Sequence, residues 1–218
     1  MIASNYALPH NRLAIRLGGV ILNSNNNELT RDLSILVAMA AEIEPYLNSD
    51  VLFWHMSTSH MPALTLGGYL MRQHRLLALQ DLLTDRQRSE LDAAVFQYNN
   101  ALVEKIVRFE QKADRELDAR LRQWSEFLKD VDRGTASSTS NYRTAVEARA
   151  MIAAIQEQLQ LAPFHLEGHA PQRIALLDNQ LRLFWESGDF VWPDKWQPAY
   201  PRMEYWWLYG KPRDKRRS

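Results

Sequence analysis

The chain has 218 residues, of which 46% are hydrophobic and 24% charged, and Lys+Arg and Asp+Glu both number 26. That length suits one domain with its own core, and the neutral balance gives the chain as a whole no field that would draw it to nucleic acid or an anionic membrane. With no cysteine, disulfide frameworks, thiolate zinc sites, iron–sulfur clusters and cysteine nucleophiles are excluded.

Met1 to Pro9 carries neither a basic region nor a long apolar run, so no signal peptide is expected. The longest nearly uncharged apolar stretch, Leu33 to Ala41, is far short of the roughly 20 residues that span a bilayer. A cytoplasmic protein without membrane segments is therefore expected. Charge is uneven along the chain: residues 211–218 hold five positive charges and one negative, which leaves the remainder mildly acidic.

Residues 1–27 read as an N-terminal appendage. Gly18 and Gly19 lie between the apolar runs Leu13 to Leu17 and Val20 to Leu22, which fits a two-residue hairpin turn or a broken helix. The run Asn23 to Asn27 reads as a turn that ends in a helix cap. From about Glu28 to Leu47, Leu29, Leu33, Leu36, Val37, Ala40, Ile43 and Leu47 repeat every three or four residues on one helical face, and Pro45 predicts a kink or early stop. Residues 48–61 connect; their Phe53, Trp54 and Met56 predict that part of the connection lies against the core. Pro62 suits the first turn of a helix reaching about Leu83, weakened at Gly67 and Gly68.

Thr84 can cap a helix from Asp85, with Gln87 at the capping-box position. From Leu91 the apolar positions Val95, Tyr98, Leu102, Ile106, Phe109, Ala113, Leu117, Leu121, Trp124, Leu128 and Val131 advance by a mean of about 3.64 residues, the α-helical period. One straight helix over about 85–132 is predicted. At 1.5 Å per residue its firm portion of roughly 43 residues, Ser89 to Val131, is about 65 Å long, against about 30 Å for neighbours of 15–20 residues, so a second copy is expected to cover the excess, with two helices stacked end to end or the chain's own aromatic arm as the alternatives. Glu104–Arg108 and Glu116–Arg120 read as surface pairs four residues apart. Gly134 ends this helix in a Ser/Thr-rich loop. A further helix runs over about 141–160, residues 161–169 are a loop, and Pro171 opens a last helix ending at Ser187 and Gly188.

Beyond it, Trp192, Trp196, Tyr200, Tyr205, Trp206, Trp207 and Tyr209 interleave with Pro193, Pro198, Pro201 and Pro212, which predicts an extended, polyproline-like arm over 189–218 lying across the helices. The fold class expected is all-α: an antiparallel bundle of four or five helices spanning 28–188, flanked by the appendage and the arm.

Few residues point to chemistry. His165 and His169 give an H-x3-H spacing that on one helix face would suit a metal, but Gly168 between them and Pro171 after them place His169 ahead of a helix, in a loop or cap role. Together with His55 or His60 they resemble the histidine arrangement of DinB-like four-helix bundles. That resemblance covers three residues and does not establish membership. No glutamate lies three residues before a histidine, which excludes the di-iron carboxylate pattern. No metal or cofactor is expected.

Gly67 and Gly68 at a helix start, with Arg72 and Arg75 beyond, can seat an anion, although no phosphate-loop motif is present. No nucleophile elbow exists, and Ser57 to His60 supplies no acid to orient an imidazole. In the arm, Trp192, Trp196, Arg202, Trp206 and Trp207 are candidate partner-binding residues. With Lys211, Arg213, Lys215, Arg216 and Arg217 they offer a second reading, single-stranded nucleic acid bound by stacking and phosphate contacts. A non-catalytic helical interaction or scaffold protein that self-associates is the function expected, with a metal-dependent enzyme using His165 and His169 as a third reading.

Overall fold

The computed structural model describes residues 14–134, 141–166 and 168–213, with side chains from residue 28 onward. The described chain is mostly helical, and a two-stranded sheet near the C-terminus corrects the all-α expectation. No helix among the described residues is long and apolar enough to cross a membrane.

The first helix, α1, runs unbroken over Ala14–Ala41. It replaces the hairpin expected at Gly18 and Gly19, and the asparagine run expected as a turn lies inside it. Glycine costs about 1 kcal/mol in a helix interior and asparagine less, amounts that a 28-residue helix tolerates once its second half is anchored by buried Leu29, Leu33, Leu36 and Met39. Residues 1–13 of the expected appendage lie outside the described residues. Pro45 acts as the sequence indicates. Having no N–H and a ring that clashes four residues back, it forces a break at Glu42, and α2 resumes over Ile43–Asn48.

The connection then folds back on itself. Trp54 and Leu64 exchange backbone hydrogen bonds at 3.0 and 2.8 Å, and the Glu42 carboxylate accepts from Trp54 Nε1 at 2.7 Å and from the Ser57 amide at 2.9 Å. Trp54 and Met56 pack against the core as expected, while Phe53 stays exposed. The next helix, α3, spans Leu66–Ala78. It starts later than Pro62 because Thr65 supplies the cap, its Oγ1 accepting from the Gly68 amide at 3.0 Å. It ends short of Leu83, in a 3-10 turn over Gln80–Leu82.

The long helix is two helices. α4 covers Asp85–Glu104, Lys105 leaves helical geometry at φ −128° and ψ 39°, and α5 covers Ile106–Asp132. The two halves have different partners: α4 packs mainly on α1, and α5 on the following helices α6, Tyr142–Gln160, and α7, Ala170–Arg182. The break at Lys105 falls where the packing partners change. At 20 and 27 residues α4 and α5 are about 30 and 40 Å long, and each has packing partners within the chain, in place of the single rod expected. The inward row survives the break, with Leu91, Tyr98 and Leu102 buried before it and Phe109, Ala113, Leu117, Leu121, Trp124, Leu128 and Val131 after it.

At the start of α4 the capping box forms as the sequence predicts. Thr84 Oγ1 accepts from the Gln87 amide at 3.3 Å, and the Gln87 side chain accepts from the Thr84 amide at 3.0 Å. Thr84→Ala is expected to lower stability by about 1 kcal/mol, measurable as a shifted urea midpoint at unchanged m-value; an unaltered midpoint would show that the cap contributes nothing.

The last helix stops at Arg182 rather than Gly188, and Trp185 and Gly188 belong to strand β1, Trp185–Phe190. β1 pairs antiparallel with β2, Tyr209–Pro212, in the register Trp185 with Pro212 and Ser187 with Gly210, with an irregularity before Phe190 meets Tyr209. Gly210 is required there: its φ is +149°, and a Cβ would fall 2.1 Å from the Glu186 carbonyl oxygen. Between the strands the chain makes 3-10 turns at Asp194–Ala199 and Trp206–Leu208. The expected polyproline-like path is thus replaced by a folded hairpin. Five large rings, Trp192, Tyr200, Tyr205, Trp207 and Tyr209, are buried in it, and burial of that much aromatic surface outweighs the local preference of scattered prolines for an extended chain.

Candidate functional site

α3 is where the charged chemistry gathers. Arg72 and Arg75 lie three residues apart, on neighbouring positions of one helix face, and both meet Asp32 of α1. Arg75, nearly fully buried, forms a short ion pair with Asp32 through Nη1, and Arg72 Nε lies 3.6 Å from the other carboxylate oxygen. Arg72 Nη1 donates to the Gly68 carbonyl at 2.7 Å. Burial pulls the Arg72 pKa below its ordinary value, and the Asp32 carboxylate partly offsets this.

The far side of Arg75 holds the C-terminal hairpin. Its Nε donates to Tyr200 Oη at 3.2 Å, and its guanidinium lies 3.5 Å from the centre of the Trp196 ring. The same arrangement recurs twice. Arg149, in a bidentate pair with Asp178 at 2.8 Å, stacks on Trp207 at 3.7 Å, and Arg182 stacks on Trp206 at 4.0 Å. Beside Arg75, a ring nitrogen of His74 lies 2.7 Å from the Ala199 carbonyl oxygen. A carbonyl only accepts, so that nitrogen, Nε2, carries the proton. Tyr205 Oη donates to Glu157 at 2.9 Å and completes the seam.

The tryptophans marked by the sequence as partner anchors are therefore engaged within the chain. Trp192 and Trp207 are buried, and Trp196 and Trp206 are half-buried beneath arginines. Arg202 is exposed and donates to Ser187 Oγ at 2.7 Å. Lys211 and Arg213 are exposed at the end of the hairpin, and Lys215, Arg216 and Arg217 lie outside the described residues.

The helix start at Gly67 and Gly68 does receive an anion, but from within the chain. Glu116 of α5 is 0% exposed and accepts from the Gly67 amide at 3.2 Å and from Arg120 at 3.3 Å. Gly67 must be glycine for this approach, since a Cβ would fall 2.9 Å from both Glu116 Oε1 and Met151 Cβ. The Glu116–Arg120 pair, expected on the surface, is an inward one. Burial, the largest influence, raises the Glu116 carboxyl above its ordinary pKa, with Arg120 and the Gly67 amide pulling the other way.

Among the described residues the histidines are not assembled into a metal-binding group. His165 is 90% exposed and its backbone N–H donates to Glu110 at 2.9 Å; His169 sits at the cap position of α7, ahead of the helix as its sequence context indicates. His55 and His60 are exposed in the connection after α2. Among the described residues no three His, Cys, Asp or Glu side chains come together as a metal-binding group.

An open cleft of about 560 Å³ lies between α1, the turn at His60 to Pro62, α3, α6 and the 3-10 turn carrying Trp196; Arg31, Asp32, Arg72, Arg75, Arg143 and Glu147 supply its charges together with Glu28. Asp32 and Glu116 were not legible as functional residues from local motifs. The available signal was an acid adjoining the inward positions of an amphipathic helix, Asp32 between Leu29 and Leu36 and Glu116 beside Ala113 and Leu117. No protein-family model, curated protein or solved structure matches the chain.

Proposed function

We propose that this is a non-catalytic interaction protein, built as a helical bundle, that works by pairing with a second copy of itself through α4. One observation carries the reading. Phe96 and Val103 of α4 and Val107 at the start of α5 are 69%, 60% and 64% exposed, and with Ala93 and Asn100 they keep the 3-4-3-4 spacing of one helical stripe across the one-residue break. From Ala93 to Val103 no residue is charged. Exposed apolar side chains are ordinary when scattered, but a contiguous stripe marks a contact surface.

Its flanks argue for a second copy. Acidic Asp92 stands at one end and basic Arg108 at the other, the latter exposed and 3.7 Å from Asp50. In a two-fold antiparallel pairing centred near Asn99 and Asn100, Phe96 faces Val103 of the other copy and Asp92 approaches its Arg108, so one patch is complementary to itself. The arm supports the same reading indirectly, because the ring faces that bases would need are already covered by Arg75, Arg149 and Arg182.

Light scattering on a size-exclusion column at about 50 μM, above the dissociation constant expected of a modest interface, should give a dimer for the native chain and a monomer for Phe96→Glu/Val103→Glu at unchanged helical content. Asp92→Arg should weaken the dimer, and adding Arg108→Asp should restore it. A native chain that elutes as a strict monomer would overturn the reading.

A further inference from the structure

We propose that the cleft beside Arg72 binds a small organic anion, a carboxylate or phosphate carried on an apolar body. At about 560 Å³ it falls within the range of small-molecule sites, and its walls divide into the two halves such a ligand needs. Met61, Met71, Pro193 and the Trp196 indole form an apolar side. The polar side is rich in cations from three helices: Arg31 of α1, Arg72 and Arg75 of α3, and Arg143 of α6. Against them stand Asp32, shared by Arg72 and Arg75, Glu28, held by Lys195 at 2.9 Å, and Glu147. The balance at the cleft is positive, and the exposed Arg31 and Arg143 on its rim make no ion pair among the described residues.

Unmet donors sharpen the assignment. Arg72 Nε and Trp196 Nε1 are both buried with no hydrogen-bond partner, and both belong to residues lining this cleft. A buried N–H left without an acceptor is costly and uncommon. Arg72 Nε has the Asp32 oxygen only at 3.6 Å, beyond hydrogen-bond reach, and Trp196 Nε1 has no acceptor at all, so an acceptor brought by a ligand meets a need the chain leaves open. Arg72 is well placed to supply directional donors, because Nη1 is fixed on the Gly68 carbonyl and Asp32 holds the guanidinium plane. Trp196 offers an edge donor beside an aromatic face. A cationic ligand would be repelled by the arginines, and a neutral one would forgo their charge-assisted hydrogen bonds.

Titration calorimetry with phenyl phosphate, benzoate, inorganic phosphate and benzyl alcohol tests this on the full chain. Phenyl phosphate or benzoate should bind, and whichever is tighter identifies the headgroup as phosphate or carboxylate. Inorganic phosphate, lacking the apolar body, should bind at least tenfold more weakly than the better of the two, and benzyl alcohol should give no heat. The exposed rim variant Arg31→Glu/Arg143→Glu, folded by circular dichroism, should lose tenfold or more in affinity. Two results would overturn the proposal: no heat from either aromatic anion up to about 10 mM, where even a weak site is partly filled, or binding that the rim variant leaves unchanged. Self-association read on the same samples is a separate outcome, since the α4 stripe contributes no residue to this cleft.

Discussion

Glu116→Ala is expected to destabilise the protein by about 3–5 kcal/mol, the range for removing one member of a buried pair. In a chain of this size that lowers the thermal midpoint by about 6–20 °C. The size follows from what the carboxylate holds. It ties the first turn of α3 to the middle of α5 through the Gly67 amide and fixes Arg120, which also reaches Thr65 Oγ1 at 3.4 Å. Alanine leaves an amide and a largely buried guanidinium without their acceptor, plus a void against Met151 and Ile155 that the close-set Gly67 cannot fill. Glu116→Gln keeps the shape and one acceptor, so its loss should be clearly smaller. Equal losses for the two variants would show that charge alone, not the bridging geometry, matters at this position.

The same residue gives a pH dependence of known sign. An acid whose pKa is raised by folding holds its proton more tightly in the native state. Its contribution is therefore full below the unfolded-state value and is lost as pH rises toward and through the folded one. Because burial raises the Glu116 carboxyl, the stability of the native chain relative to Glu116→Gln should fall as pH climbs from the ordinary glutamate range upward. Using the glutamine variant as reference cancels the other titrating groups. A difference that grows with pH would mean that Arg120 and the Gly67 amide outweigh burial.

These acids also mark where the sequence stops being informative. Periodicity names the buried positions of α4 and α5 well, because the helical face is conserved across a one-residue break. For that very reason it is blind to the break: Lys105 interrupts the helix without changing register, at the point where the partner helices change. Thr84 and Gln87 were legible because a capping box is a local hydrogen-bond motif. The hairpin over Trp185 to Pro212 was not, since its strands are joined by 18 residues and it is held by the burial of its aromatic rings and by arginines such as Arg75 and Arg149 from helices distant in sequence. A charge at an inward position, such as Asp32 or Glu116, becomes interpretable only when its partner from another helix is in place.

The second large effect concerns how the C-terminal hairpin is held. Asp32→Leu should lose about 3–5 kcal/mol, because it leaves Arg75 buried without a counter-charge and Arg72 with it. Removing Arg75 as well should recover part of that loss: the double variant Asp32→Leu/Arg75→Met replaces a desolvated pair with apolar volume, and buried pairs replaced whole are frequently tolerated. The coupling in this double-mutant cycle is expected to be about 1–3 kcal/mol. The cycle should also separate global from local effects. Arg75 carries the Trp196 stack and the Tyr200 hydrogen bond, so amide exchange over residues 193–212 should accelerate in Arg75→Met more than global stability alone requires. The amides of α4, which makes no hydrogen bond or ion pair with either residue of the pair, should follow the global change. If exchange in the hairpin instead tracks that of α4 in every variant, Arg75 contributes to the fold as a whole and does not specifically clamp the hairpin to α3.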